Sequence, residues 1–154
     1  MKIKTSELTR LALNWAVAKC EESRNHYQDY RVVDEELYAM FCDVWLPSPY
    51  SPSTNWSRGG QIIDREKMTT AFCTGDLGES RTYWIATIEP QSWEYGYGPD
   101  HAQDEDRSLR ICKPDVTKGP TPLIAAMRCY VASKLGDEVD VPEELISTSP
   151  SDFP

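Results

Sequence analysis

The chain has 154 residues, enough for one domain with a real core, and carries 16 Lys plus Arg against 25 Asp plus Glu, a formal net charge of −9. That charge repels phosphate backbones and excludes polymeric nucleic acid as a natural partner, whereas a small anionic ligand can still be met by a few local arginines. Five tryptophans and eight tyrosines in a chain that is 40% hydrophobic argue for a folded globule, and no apolar run approaches the length of a membrane span.

The cysteines stand at positions 20, 42, 73, 112 and 129, an odd number at wide spacings with no C-x-x-C pair. With only His26 and His101 beside them, no metal-ligand pattern assembles, and no cofactor is implied. No signal peptide is recognisable ahead of the first helix. Unpaired thiols in a reducing cytoplasm are the expectation.

In chain order, Met1 to Thr5 alternates like an edge strand. Thr5 or Ser6 is then placed to cap a helix, with Glu7 in its first turn. Leu8, Leu11, Ala12, Trp15 and Ala18 recur at helical spacing, which predicts an apolar stripe and a helix running to about Cys20 or Glu22. Residues 21–30 are polar and read as loop. Residues 31–46 are ambiguous between strand and helix; Asp34 as cap with Leu37, Tyr38, Phe41, Val44 and Trp45 favours a short helix, ended by Pro47 and Pro49.

The segment 50–66, YSPSTNWSRGGQIIDRE, is the most unusual of the chain. Proline and paired glycine argue against a regular helix and for an ordered loop followed by a brief strand at 61–64. Hydroxyls, an amide, a large aromatic and close-approach glycines suit a loop wrapping a small polar ligand. The alternative is a connection whose Trp56 plugs the core. Residues 67–80 read as irregular. Thr82 to Glu89 is the clearest strand, apolar on both faces and hence central, with Tyr83, Ile85 and Thr87 on one side and Trp84, Ala86 and Ile88 on the other. Residues 90–120 read as loop, with an acidic surface run at 100–106 and a short strand at 109–112. Thr121 to Leu135 has a capping threonine, proline at the first position, and Gly136 after the last turn, which predicts a second helix. Its apolar arc is Leu123, Ile124, Met127, Tyr130, Val131 and Leu135, with Arg128 at the edge facing a cleft and Lys134 snorkelling near the end. An acidic closing segment follows, and 147–154 reads as a flexible tail outside a single domain spanning 1–146.

Three blocks carry a resemblance: TSELTRLALNWAVAKCE at 5–21, the segment at 50–66, and GPTPLIAAMRCYVASKLGDEVDVPEEL at 119–145. Together they resemble the NinX-like proteins of lambdoid phages, while 22–49 and 67–118 fall outside the resemblance. It implies a small, soluble, phage-encoded accessory protein of the host bacterial cytoplasm. It implies no reaction, so no catalytic residue follows from it.

The residues themselves favour binding over catalysis. A nucleophile with a histidine and an orienting acid has no support from two loop histidines, Ser51, Ser53 and Ser57 lack a nucleophile elbow, and Gly59-Gly60 alone is no phosphate loop. Tyr50, Trp56 and Trp84 offer stacking faces for a base. Ser51, Ser53, Thr54 and Asn55 offer hydrogen bonds for ribose or phosphate, and Gly59 and Gly60 offer close approach. Arg58, Arg65 and Arg128 are candidates to meet a diphosphate, Arg128 being the best placed.

The sequence reading is therefore an α+β fold, a small, mainly antiparallel sheet packed against two principal helices. The function read from it is a non-catalytic binder of a small nucleotide-like molecule, with sequestration of a host antiviral-defence signal as a use suggested by phage context. The rival is a protein–protein module that docks on a host or phage factor through its acidic surface; an enzyme cleaving a nucleotide comes third, and self-association stays open.

Overall fold

The computed structural model describes residues 1–74, 82–88 and 117–146. The strand expected at 109–112, the acidic run, Cys112, His101 and the tail at 147–154 lie outside the described residues.

The fold is α+β, with every described strand pair antiparallel and the sheets packed on helices. The sheet is divided into three small ones. Strand β1 (Lys2–Lys4) pairs with β8 (Glu138–Asp140), setting Ile3 opposite Val139. Strands β2 (Asp29–Val33), β3 (Glu36–Phe41) and β4 (Val44–Trp45) form a meander. Strand β6 (Thr82–Thr87) lies between β5 (Thr69–Thr74) and β7 (Thr117–Gly119), the central position its two apolar faces predict.

Helices α1 (Arg10–Cys20) and α4 (Pro122–Leu135) make the core. Both are buried around most of their circumference, not along one stripe. Leu11 to Val17 is buried on α1 apart from half-exposed Trp15, and Ala125 to Val131 is buried on α4. Small residues (Ala12, Ala16, Ala125, Ala126) within this core leave room for close packing against neighbouring elements. Helix α4 begins as its local signals predict, since the Thr121 side chain accepts a hydrogen bond from the Ile124 amide, and it ends at Gly136 with φ 90°. Helix α1 starts later than the capping expectation. Thr5–Glu7 is a single 3-10 turn, and the Thr5 hydroxyl donates to the Gly136 carbonyl at 2.6 Å, fastening the chain start to the end of α4.

The helix expected within 31–46 is corrected to the β2–β4 meander. Its two hairpin turns have positive φ at both central residues: Asp34 and Glu35 (49° and 63°), then Cys42 and Asp43 (50° and 61°). Such turns match the twist of the flanking strands, but Asn-Gly or Asp-Gly are their usual markers and neither is present here. The polar stretch at 21–30 contains a short helix, α2 (Glu22–Asn25), and the start of β2. Residues 69–74, expected to be irregular, are strand β5.

The largest correction concerns 50–66. Residues Trp56–Arg65 form a ten-residue helix, α3, in place of loop and strand. The one proline of 50–66, Pro52, precedes the first turn, so it breaks nothing. Asn55 caps it by accepting the Ser57 amide at 2.9 Å. Each mid-helix glycine costs about 1 kcal/mol relative to alanine; burial of Ile62 and the close packing of Gly59 offset this.

Candidate functional site

The turn that leads from β4 into α3 positions most of the candidate residues, and the protein itself uses several of them. Tyr50 is buried, its amide donating to the Leu37 carbonyl at 2.6 Å. Its ring meets Tyr27 and Tyr30 edge-on, with centroids 5.7 and 6.4 Å away. Burial pushes the Tyr50 hydroxyl well above the ordinary phenol range, with Glu21 adding to the effect, so it stays protonated. Ser53 is buried as well. Its hydroxyl donates to Asn14 Oδ1 at 2.7 Å and its amide to the same oxygen at 3.1 Å, which ties the turn to α1. The Thr54 and Asn55 amides both donate to the Ser51 carbonyl, at 3.1 and 2.8 Å. This tight turn delivers Asn55 to the helix start.

Gly59 is a close-approach glycine, but what approaches is the chain itself: a Cβ there would fall 2.2 Å from the Pro52 carbonyl oxygen. Gly60 differs. A Cβ at Gly60 would meet only Trp56 Cε3, at 3.6 Å. Trp56 is 57% exposed and does not plug the core, so that reading of it is corrected. The first turn of α3 therefore presents an open indole face beside Asn55, half-buried Ser51 and the bare backbone of Gly60.

Two other candidates stand on different elements. Trp84 lies on β6, its ring tilted against Phe72 at 5.3 Å, and it packs on the main core. Arg128 does not sit at the rim of a cleft. It is buried, with Nε donating to the Leu8 carbonyl at 2.8 Å and Nη1 to the Lys118 carbonyl at 3.0 Å. Desolvation lowers its pKa below the usual guanidinium value. It staples α4 to the end of the 3-10 turn and to β7. Arg58, half-buried, donates to the Tyr27 hydroxyl at 3.0 Å and lies 5.2 Å from the Tyr50 ring centroid.

One cluster went unforeseen. Glu21, just past α1, is buried and accepts two hydrogen bonds from Arg65 of α3, at 3.2 and 2.5 Å, and one short hydrogen bond from the Tyr130 hydroxyl of α4. Arg65 also reaches Glu66 at 3.2 Å. Burial alone would lower the Arg65 pKa, but the hydrogen bonds to Glu21 and Glu66 outweigh it and hold the value up. Burial also raises Tyr130, reinforced by Glu21. The cluster is internally satisfied and joins three helices. A polar stretch offers no sign of which carboxylate turns inward, so the sequence placed Glu21 in a loop.

Burial, with Glu21 adjoining, pushes the Cys20 thiol up to about 12, and burial raises Cys129 too; both remain protonated thiols near neutrality. Among the described residues no group of three or more His, Cys, Asp or Glu is placed to hold a metal ion. None of their helices is long and apolar enough to cross a membrane.

Comparison with curated proteins yields no match. A family model described as "Bacteriophage P22, NinX" matches residues 4–134, running from the last residue of β1 almost to the end of α4 and across the two segments that the sequence resemblance left out. The chain belongs to the NinX family of bacteriophage proteins.

Proposed function

We propose that this phage accessory protein works by non-catalytic binding of a small nucleotide-like molecule at the first turn of α3. The observation that carries the reading is the 57% exposure of Trp56, a large ring held at a fixed helix end where burial would otherwise be favoured. An exposed indole stacks on a base for about 1–3 kcal/mol whatever the base, since every base has a π-face. Asn55 and Ser51 supply polar contact around it, and the missing side chain of Gly60 leaves space beside the ring. Ser53, Gly59 and Arg128 support the fold, so the ligand face narrows to Ser51, Asn55, Trp56 and Gly60, with Tyr50 holding the turn from behind. In a phage accessory protein, sequestering a host nucleotide signal of antiviral defence is the use such binding would serve.

Calorimetric titration with nucleoside mono- and diphosphates and cyclic dinucleotides tests the reading. At least one compound should bind, be recovered chemically unchanged, and raise the melting temperature as mass action requires. Trp56→Ala should remove that binding and leave the unliganded melting temperature nearly in place. A panel that gives no heat with wild type, or the same affinity with Trp56→Ala, would overturn it.

A further inference from the structure

Half of the exposed large hydrophobic side chains among the described residues stand on the β2–β4 meander: Val32 and Val33 (42% and 41% exposed), Phe41 (44%) and Val44 (63%). Strand parity shows why three of them belong together. Leu37, Ala39 and Phe41 alternate onto one face of β3, Val32 is paired with Leu37, and Val44 is paired with Phe41. Leu37 and Ala39 are buried on that face, Leu37 packing with Leu11 and Ala18 of α1 and with Tyr50. The apolar face thus begins in the core and continues into solvent at both ends of the meander. The Phe41 end is braced, since Gln28 Nε2 donates to Asp43 Oδ1 at 3.2 Å and the Asp43 amide donates to Gln28 Oε1 at 2.6 Å.

The rim of this face has one sign. Asp34 and Glu35 form one hairpin turn at its edge and Asp43 stands in the other, all three exposed, whereas Glu36 and Asp29, paired with Val33 and Met40, alternate onto the opposite face. The one cation within the meander, Arg31, lies over the Trp45 ring at 4.3 Å. A second copy of the chain would set carboxylates against carboxylates at a net charge of −9 each, and nucleic acid or an anionic bilayer would be repelled in the same way.

We infer that the β2–β4 meander is a docking surface for a protein partner that presents apolar side chains flanked by lysine or arginine. Phe41, Val44 and Val32 supply its apolar contacts, and the two acidic hairpin ends set its charge preference and orientation. The surface and Trp56 stand on different elements, the β2–β4 meander and α3, and the two assignments are tested by different variants.

The test is a titration of the full-length protein, labelled for amide NMR, with a ten-residue peptide alternating lysine and valine, beside its glutamate–valine counterpart. The lysine peptide should shift amides within 29–45 and leave the first turn of α3 unmoved, and the glutamate peptide should not bind. Phe41→Ser and Val44→Ser should each weaken binding at least tenfold without lowering the melting temperature. Asp34→Asn with Glu35→Gln should weaken it severalfold, whereas Glu7→Gln with Glu138→Gln, an equal change of net charge elsewhere, should not. Absence of binding, shifts scattered over the whole acidic surface, or equal effects of the two charge pairs would overturn the inference. So would a large loss of stability in both serine variants, which would mean that the chain covers this face itself.

Discussion

Gly59 lies so close to Leu123 that a Cβ on the glycine would sit 2.6 Å from Leu123 Cδ2, nearer than van der Waals contact allows. The two residues are where α3 closes on α4, and the Pro52 carbonyl stands on the other side of the same gap. The neighbouring glycine has no such constraint. Gly59→Ala should therefore cost stability, by about 1–3 kcal/mol as overpacking does. Gly60→Ala should stabilise by up to about 1 kcal/mol through helix propensity. Urea melts of the two variants check this, and an equal response at both positions would place the helix contact wrongly.

Leu123→Ala and Met127→Ala should each cost about 2–5 kcal/mol, because both side chains are almost fully buried on α4 and leave cavities in a core formed largely by two helices. Chemical denaturation measures this directly. A loss under half a kcal/mol at both sites would mean that α4 does not bury this face.

The Glu21–Arg65 pair buries a carboxylate against a guanidinium. The Glu21 side chain is 4% exposed and that of Arg65 29%. Arg65→Ala leaves a buried carboxylate with only the Tyr130 hydroxyl as partner. The cost should be about 2–4 kcal/mol, somewhat below that for a fully buried pair because water reaches the arginine side. Glu21→Gln combined with Arg65→Met should cost less than the sum of the single changes, which a double-mutant cycle on melting free energies measures.

Raised acid pKa values have a direction in pH. Cys20 ionises at an ordinary value of 9.0 when unfolded and at about 12 when folded, burial being the main cause and Glu21 the next. Below 9 both states hold the proton and the full stability is present; as pH rises from 9 towards 12 the unfolded state loses its proton first, and stability falls. Tyr30, Tyr50 and Tyr130 shift in the same direction, chiefly through burial, and extend the loss on the alkaline side. Melting temperature should hold between pH 7 and 8.5 and drop steeply above 9. At pH 8 a thiol reagent should modify exposed Cys42 well before Cys20 or buried Cys129.

What the sequence disclosed divides by the range of the interactions involved. Thr121, Pro122 and Gly136 act within a turn of α4, so its limits were legible. Two-residue alternation did the same for β6. The meander was not legible, because Asp34-Glu35 and Cys42-Asp43 adopt positive φ without the glycine or asparagine that signals such turns. Helix α3 was hidden by reading Pro52 and the glycines of 50–66 as one unit, although the helix starts after the proline. The contacts that decide what the candidate residues do are distant in sequence: Ser53 with Asn14 is 39 residues apart, Arg128 with Leu8 is 120, and Tyr130 with Glu21 is 109. No local pattern encodes those pairings.

Those pairings also change which variant tests function. Arg128 spends its guanidinium on the Leu8 and Lys118 carbonyls, both inside the protein's own framework. Arg128→Ala leaves those acceptors without their donor, and hydrogen bonds to a charged group are worth about 1.5–3 kcal/mol, so the melting temperature should fall. Nucleotide affinity measured well below that temperature should not change. Asn55 is exposed but caps α3, so Asn55→Ala should cost about 1 kcal/mol of stability whether or not a ligand binds. Asn55→Ser keeps the cap and removes the amide group, which isolates any contact with ligand. If the first turn of α3 is the binding face, Asn55→Ser should weaken nucleotide binding tenfold, about 1.4 kcal/mol, with its melting temperature close to wild type. Trp56→Ala should weaken it further, again with little thermal effect, because the ring is mostly in solvent. Calorimetry on the three variants beside their melting curves separates the outcomes. Loss of affinity that followed only the loss of stability, greatest in Arg128→Ala and absent in Trp56→Ala, would remove the α3 turn from the binding site.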